Sequence, residues 1–117
     1  MVKPPLPTSW LDTAERLCLV LASETARYVA PLPIRLQDAA FVEVTDPANN
    51  LPSYEGTWRN PQGIRCGSLT LNSDGSYYAE YDVLTLHPEK PRWFVEAVTV
   101  WGRDGTVKAE PRLLAAV

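Results

Sequence analysis

Three short motifs, NPQG (Asn60 to Gly63), NSDG (Asn72 to Gly75) and GRDG (Gly102 to Gly105), each end on glycine and divide runs rich in β-branched and aromatic residues. Punctuation of this kind constrains the chain to hairpins. A type I turn whose last residue takes positive φ is a common three-residue hairpin connection, and glycine enters that conformation without steric cost. A fourth connection, His87 to Pro91, reads as a longer loop bounded by prolines. The expected product is a five-stranded antiparallel meander with strands at 54–60, 64–72, 76–86, 92–101 and 106–113.

The sheet needs a cover, and the first third of the chain supplies one. Leu11, Ala14, Leu17, Cys18, Leu21, Ala22, Thr25 and Val29 recur at spacings of three and four, with Asp12, Glu15, Arg16, Ser23, Glu24 and Arg27 on the opposite side. This spacing predicts one amphipathic helix from Trp10 to Val29. Ser9 and Asp12 resemble a capping box at its start, and the Pro31 and Pro33 pair stops it. Residues 1–8 read as a flexible proline-rich arm and 9–117 as one α+β domain, with the helix packed on the meander. Phe41 to Val44 is a candidate sixth short strand.

At 117 residues the chain is long enough to bury a core without disulfide or metal staples. Fourteen acidic against eleven basic side chains give a net charge of −3, with no basic run to neutralise phosphates, so nucleic acid is not an expected partner. The longest apolar run, Leu17 to Ala22, is short of the ~20 residues that span a bilayer, and no signal-peptide pattern is read at the start. A cytoplasmic chain is expected, with Cys18 and Cys66 free packing residues rather than a bridge or nucleophiles. No zinc-ligand spacing, glycine-rich nucleotide loop or EF-hand occurs, and no cofactor is expected.

If each motif glycine is a bulge residue, Asn60 faces Ile64, Asn72 faces Ser76 and Gly102 faces Thr106, which sorts the side chains onto two faces. The helix-facing set is Leu69, Leu71, Tyr77, Ala79, Tyr81, Val83, Trp93, Val95, Ala97, Thr99, Trp101, Val107, Ala109 and Leu113. The outer set mixes rings with charges: Tyr54, Trp58, Cys66, Tyr78, Glu80, Asp82, Phe94, Glu96, Val98, Lys108, Glu110 and Arg112. Within it, Cys66, Asp82, Glu96 and Arg112 are expected to form one row across four strands.

Two acids beside one guanidinium can divide their pKa values and serve as acid and base, yet cross-strand ion pairs on a solvated face have the same composition and are commoner. His87, the single histidine, is expected to serve a turn. What exceeds the needs of a simple core is the aromatic content, four tryptophans and five tyrosines. The expected function is a non-catalytic binding or protein-interaction module. Its candidate binding face is Tyr54, Trp58, Cys66, Tyr78, Glu80, Asp82, Glu96 and Arg112, directed at a protein or small organic partner. Three alternatives stand beside it: the 34–52 segment covers the rings, Asp82 and Glu96 serve a small enzyme, or the face is buried in a homodimer.

Overall fold

A computed structural model describes residues 6–116, and the segment 1–5 of the expected arm lies outside the described residues. One helix, α1 (Thr8–Thr25), precedes a short 3₁₀ turn (Leu36–Asp38) and six strands: β1 (Ala40–Thr45), β2 (Pro52–Arg59), β3 (Arg65–Leu71), β4 (Ser76–Leu86), β5 (Trp93–Arg103) and β6 (Lys108–Ala115). The strands form one antiparallel sheet in chain order, so the α+β meander expected from the sequence holds. The difference is one strand: Phe41 to Val44 belongs to a full edge strand paired with β2.

Helix α1 starts two residues earlier than its apolar spacing suggests. Pro7 occupies the N-cap and no side chain among the described residues caps the helix, so the Ser9 and Asp12 box does not form. A proline with φ −58 and ψ 149 leads into the first turn in extended geometry, and the Trp10 amide donates to its carbonyl. After Thr25 the backbone winds on loosely, with Tyr28 and Val29 amides both donating to the Thr25 carbonyl. Ala14, Leu17, Cys18, Leu21 and Thr25 are buried, as their spacing requires.

The helix lies across β3 to β6, chiefly over β4 and β5. Its buried side chains meet Leu69, Leu71, Tyr77, Ala79, Val83, Val95, Val98 and Val100 in one core. Arg16 fixes the helix to the far end of the sheet, donating from Nη1 to the Gly105 carbonyl at 2.7 Å. Ile34 and Leu36 cover the same face beside β2, where the Trp58 indole donates to the Arg35 carbonyl at 2.8 Å.

Gly63, Gly75 and Gly105 all have positive φ, at 81°, 91° and 84°. The first two close their turns as expected: the Asn60 amide donates to the Ile64 carbonyl, and the Asn72 amide to that of Ser76. The third turn differs. Asp104 also has positive φ, 52°, and the Thr106 amide donates to the Arg103 carbonyl, which makes a two-residue connection closed by Arg103 and Thr106. Two consecutive left-handed residues are the requirement of the primed turn that Asp-Gly favours. Trp101 therefore pairs with Lys108, and Gly102 does not face Thr106.

A one-residue slip exchanges the faces of a strand. Thr99 and Trp101 lie opposite Glu80 and Tyr78, while Val98 and Val100 lie opposite Tyr81 and Ala79, and the switch of face relative to Val95 falls at Glu96, where the ladders on both sides of β5 slip. Ala97, Thr99 and Trp101, expected under the helix, are on the outer face, and Val98, expected outside, is in the core.

A second slip lies in β2 and β3. Arg59 pairs with Arg65 but Trp58 pairs with Gly67, leaving Cys66 as the extra residue of a bulge. That step turns Tyr54 and Trp58 onto the Leu69 and Leu71 side, where they are 6% and 3% exposed. Gly67 permits it, because a Cβ there would sit 2.6 Å from the Tyr81 ring and 3.2 Å from that of Trp58. Tyr54, Trp58 and Cys66 are accordingly not part of the outward surface. The 34–52 segment does cover Trp58, but from the helix side.

Candidate functional site

The outer face consists of rows that the strand pairing sets side by side. One row runs Val42, Glu55, Thr70, Tyr78, Trp101 and Lys108; the next runs Ala40, Thr57, Ser68, Glu80, Thr99 and Glu110. Asp82, Ala97 and Arg112 continue the pattern on the last three strands. Of the residues expected to meet outside, Tyr78, Glu80, Asp82, Glu96 and Arg112 do so. Trp101 and Thr99 stand where Trp58 and Cys66 were expected to contribute.

Tyr78, Thr99 and Trp101 form the floor of an open groove of about 590 Å³, walled by Asn72, Ser76, Glu110 and Arg112. Tyr78 is 38% exposed, a large ring for a sheet surface position. Thr99 is fixed by donation from Oγ1 to the Glu110 carbonyl at 3.0 Å. Burial and the Glu80 charge push the Tyr78 phenol up, so it stays a hydrogen-bond donor, and it donates to Glu80 Oε2 at 3.2 Å.

Glu80 is the hub of the charges beside the groove. Arg65 Nη2 reaches its Oε1 at 3.3 Å and Arg112 Nη1 its Oε2 at 3.6 Å, while Arg112 Nε pairs with Glu96 Oε2 at 3.1 Å. The expected row is thus realised with a displacement. Ala97, not Glu96, pairs with both Asp82 and Arg112, and the ladders on both sides of β5 slip next to it, leaving Glu96 without a direct partner. The extra residue still turns outward and meets Arg112 through its long side chain.

Asp82 joins no ion pair among the described residues. Its carboxyl lies above the ordinary range, first from desolvation and then from the Glu80 charge, against a lowering by Arg65. Neither Asp82 nor Glu96 lines the groove.

On the helix side, Cys66 packs against the core with its sulfur 3.3 Å from the Tyr81 hydroxyl and 3.5 Å from the Trp58 carbonyl. Burial and the Cys66 contact push Tyr81 up to about 12. Cys18 is likewise pushed up to about 12, by burial and then by Glu15, which keeps its thiol protonated and a poor nucleophile. His87 Nδ1 accepts from the Glu89 and Lys90 amides at 3.0 and 3.1 Å, the turn-closing task its place before Pro88 suggested.

Trp101 and Thr99 escape the sequence because Asp104-Gly105 fits a longer turn equally well and because nothing local marks the slip at Glu96. The dipeptide was the available signal. The bulge that hides Tyr54 and Trp58 had one as well, since Gly67 is an isolated glycine inside a strand pattern.

No protein-family model, curated protein or solved structure matches this chain.

Proposed function

We propose that the chain is a non-catalytic binding module whose outer sheet face takes up a polypeptide partner. The observation that carries this reading is the groove over Tyr78, Thr99 and Trp101, flanked by the Arg65, Glu80, Arg112 and Glu96 charges. Two adjacent rings on neighbouring strands offer apolar contact area at small cost in side-chain entropy, and aromatic and arginine side chains dominate the energetics of protein recognition. The groove's open form favours a polypeptide over a small molecule, which needs enclosure on most of its surface to bind well. Arg112 can exchange one of its carboxylate partners for an acidic group on the partner without leaving Glu80 unpaired, because Arg65 remains beside it.

The test is amide-shift mapping by NMR with a panel of short peptides that combine aromatic and acidic residues. Binding is expected to shift Thr70, Tyr78, Thr99, Trp101 and Arg112, and Tyr78→Ala with Trp101→Ala is expected to abolish the shifts. Shifts confined to other surfaces, or undiminished in the double variant, would refute the assignment.

A second reading has one observation in its favour. The raised Asp82 carboxyl beside Glu80 and Glu96 is the kind of group that could move a proton. An Asp82 that titrates in the ordinary carboxylate range in an NMR pH series would remove its basis.

A further inference from the structure

The two edges of the sheet are not alike. Along β6 the Thr106 amide bonds back to Arg103, which sets the even-numbered residues toward β5 and leaves Pro111 on the open side. Proline has no amide hydrogen, so a partner strand finds a missing donor there, with Lys108 and Arg112 nearby. The β1 edge is guarded less. Its sequence, AFVEVT, has neither proline nor lysine, its one charge is Glu43 on the Tyr54 side, and Val42 and Val44 on the other side are 57% and 40% exposed.

The donors and acceptors of that edge can be assigned. The Asp46 amide donates to the Leu51 carbonyl, in the same register that pairs Ala40 with Thr57 and Val42 with Glu55. Bonding residues alternate along an antiparallel pair, so Ala40, Val42 and Val44 turn their backbone groups toward β2. Phe41, Glu43 and Thr45 therefore direct their N–H and C=O groups away from the sheet, into the position of a seventh strand.

We propose that β1 pairs with β1 of a second copy of this chain, antiparallel about a two-fold axis at Val42. The register follows from the same alternation. A pairing centred on Glu43 sets two carboxylates directly opposite, which is unfavourable. Centring on Val42 lets Phe41 and Glu43 of opposite copies exchange both backbone bonds. Val42 then meets Val42 at the closer, non-hydrogen-bonded spacing, and Ala40 meets Val44. The segment is thus self-complementary in hydrogen bonds and apolar contact, and the two Glu43 carboxylates are offset to diagonal positions instead of facing each other. Helix α1 leaves room for this, since it lies over β3 to β6.

A two-fold that relates antiparallel neighbours runs perpendicular to the sheet, so both grooves emerge on the same side of one continuous sheet. The arrangement differs from burial of the outer face and leaves Tyr78 and Trp101 open in both copies. It does not depend on what those grooves bind.

Sedimentation velocity over a wide concentration range tests the proposal, with two variants that spare the β1 and β2 ladder. Glu43→Pro removes an outward amide only, and Val42→Lys brings two charges together on the axis. The wild type is expected to sediment as a dimer and both variants as monomers with unchanged far-ultraviolet circular dichroism. Val42→Cys is expected to cross-link across the axis on mild oxidation, and Val44→Cys, which faces Ala40, is not. A wild type that stays monomeric overturns the proposal, as does a dimer that survives Val42→Lys. If Glu43→Pro fails to fold, Val42→Lys and the cross-linking contrast decide.

Discussion

Gly67 leaves space where three groups already crowd: a Cβ would lie 2.6 Å from Tyr81 Cδ2, 2.9 Å from the Glu80 carbonyl oxygen and 3.2 Å from Trp58 Cε3. The carbonyl belongs to the adjacent strand and cannot turn aside, so Gly67→Ala is expected to destabilise the fold by about 1–3 kcal/mol, the usual cost of overpacking. Urea unfolding checks this, as a lower midpoint at unchanged slope. At the same scale, Asp82 makes a pH-dependent contribution of definite sign. Its folded pKa is raised by desolvation and then Glu80, so the folded chain holds this proton more tightly than the unfolded one. The stability it adds is fully present below its unfolded pKa and is lost as pH rises through the folded value. Asp82→Asn is therefore expected to raise the urea midpoint at neutral pH relative to wild type, with the gain fading in acid below the ordinary aspartate range. A variant less stable than wild type at neutral pH would show that Asp82 is held by favourable contacts instead.

Elements were legible wherever local chemistry sets them alone. The helix is readable from Ala14, Leu17, Cys18 and Leu21, whose spacing admits one buried stripe. Strands β3 and β4 keep the register read from NSDG, because the turn and the strands beyond it obey one rule without interruption. The Asp104-Gly105 turn shows where reading stops. Glycine at its end fits both a three-residue and a two-residue connection, and the choice rests on whether Asp104 adopts positive φ, as it does at 52°. Gly105→Ala is expected to cost about 1–2 kcal/mol, the penalty of a left-handed alanine, whereas Asp104→Asn is expected to be neutral or mildly stabilising. Thermal unfolding of Asp104→Asn against Asp104→Ala distinguishes this turn, where Asn is the more stable, from a longer one, in which residue 104 needs no left-handed geometry and Asn gives no advantage over Ala. In the β4 to β5 loop, His87→Asp is expected to keep the turn, since a carboxylate oxygen can accept the Glu89 and Lys90 amides, and His87→Ala is expected to loosen it. Amide exchange at residues 89 and 90 reports the difference.

At the scale of the whole molecule, one helix covers one side of a six-stranded sheet, and the side left open gathers whatever the register sends there. Tyr78, Glu80, Asp82 and Arg112 are legible on the open side because β4 up to Asp82 and β6 up to Arg112 alternate without interruption. Trp58 and Trp101 exchanged places in the reading because a face is decided by the sum of every slip between a residue and the core. Slips at Cys66 and Glu96 and the shorter Asp104 turn were enough to move the most informative rings.

The binding surface stands or falls on β5 turning Thr99 and Trp101 outward, and cross-strand Hα–Hα contacts in a nuclear Overhauser spectrum report that register directly. The pairing of Val100 with Ala109 and of Val98 with Pro111 predicts strong contacts between those residues. Contacts of Ala109 with Thr99 and of Pro111 with Ala97 in their place would return Trp101 to the core side and contradict the account.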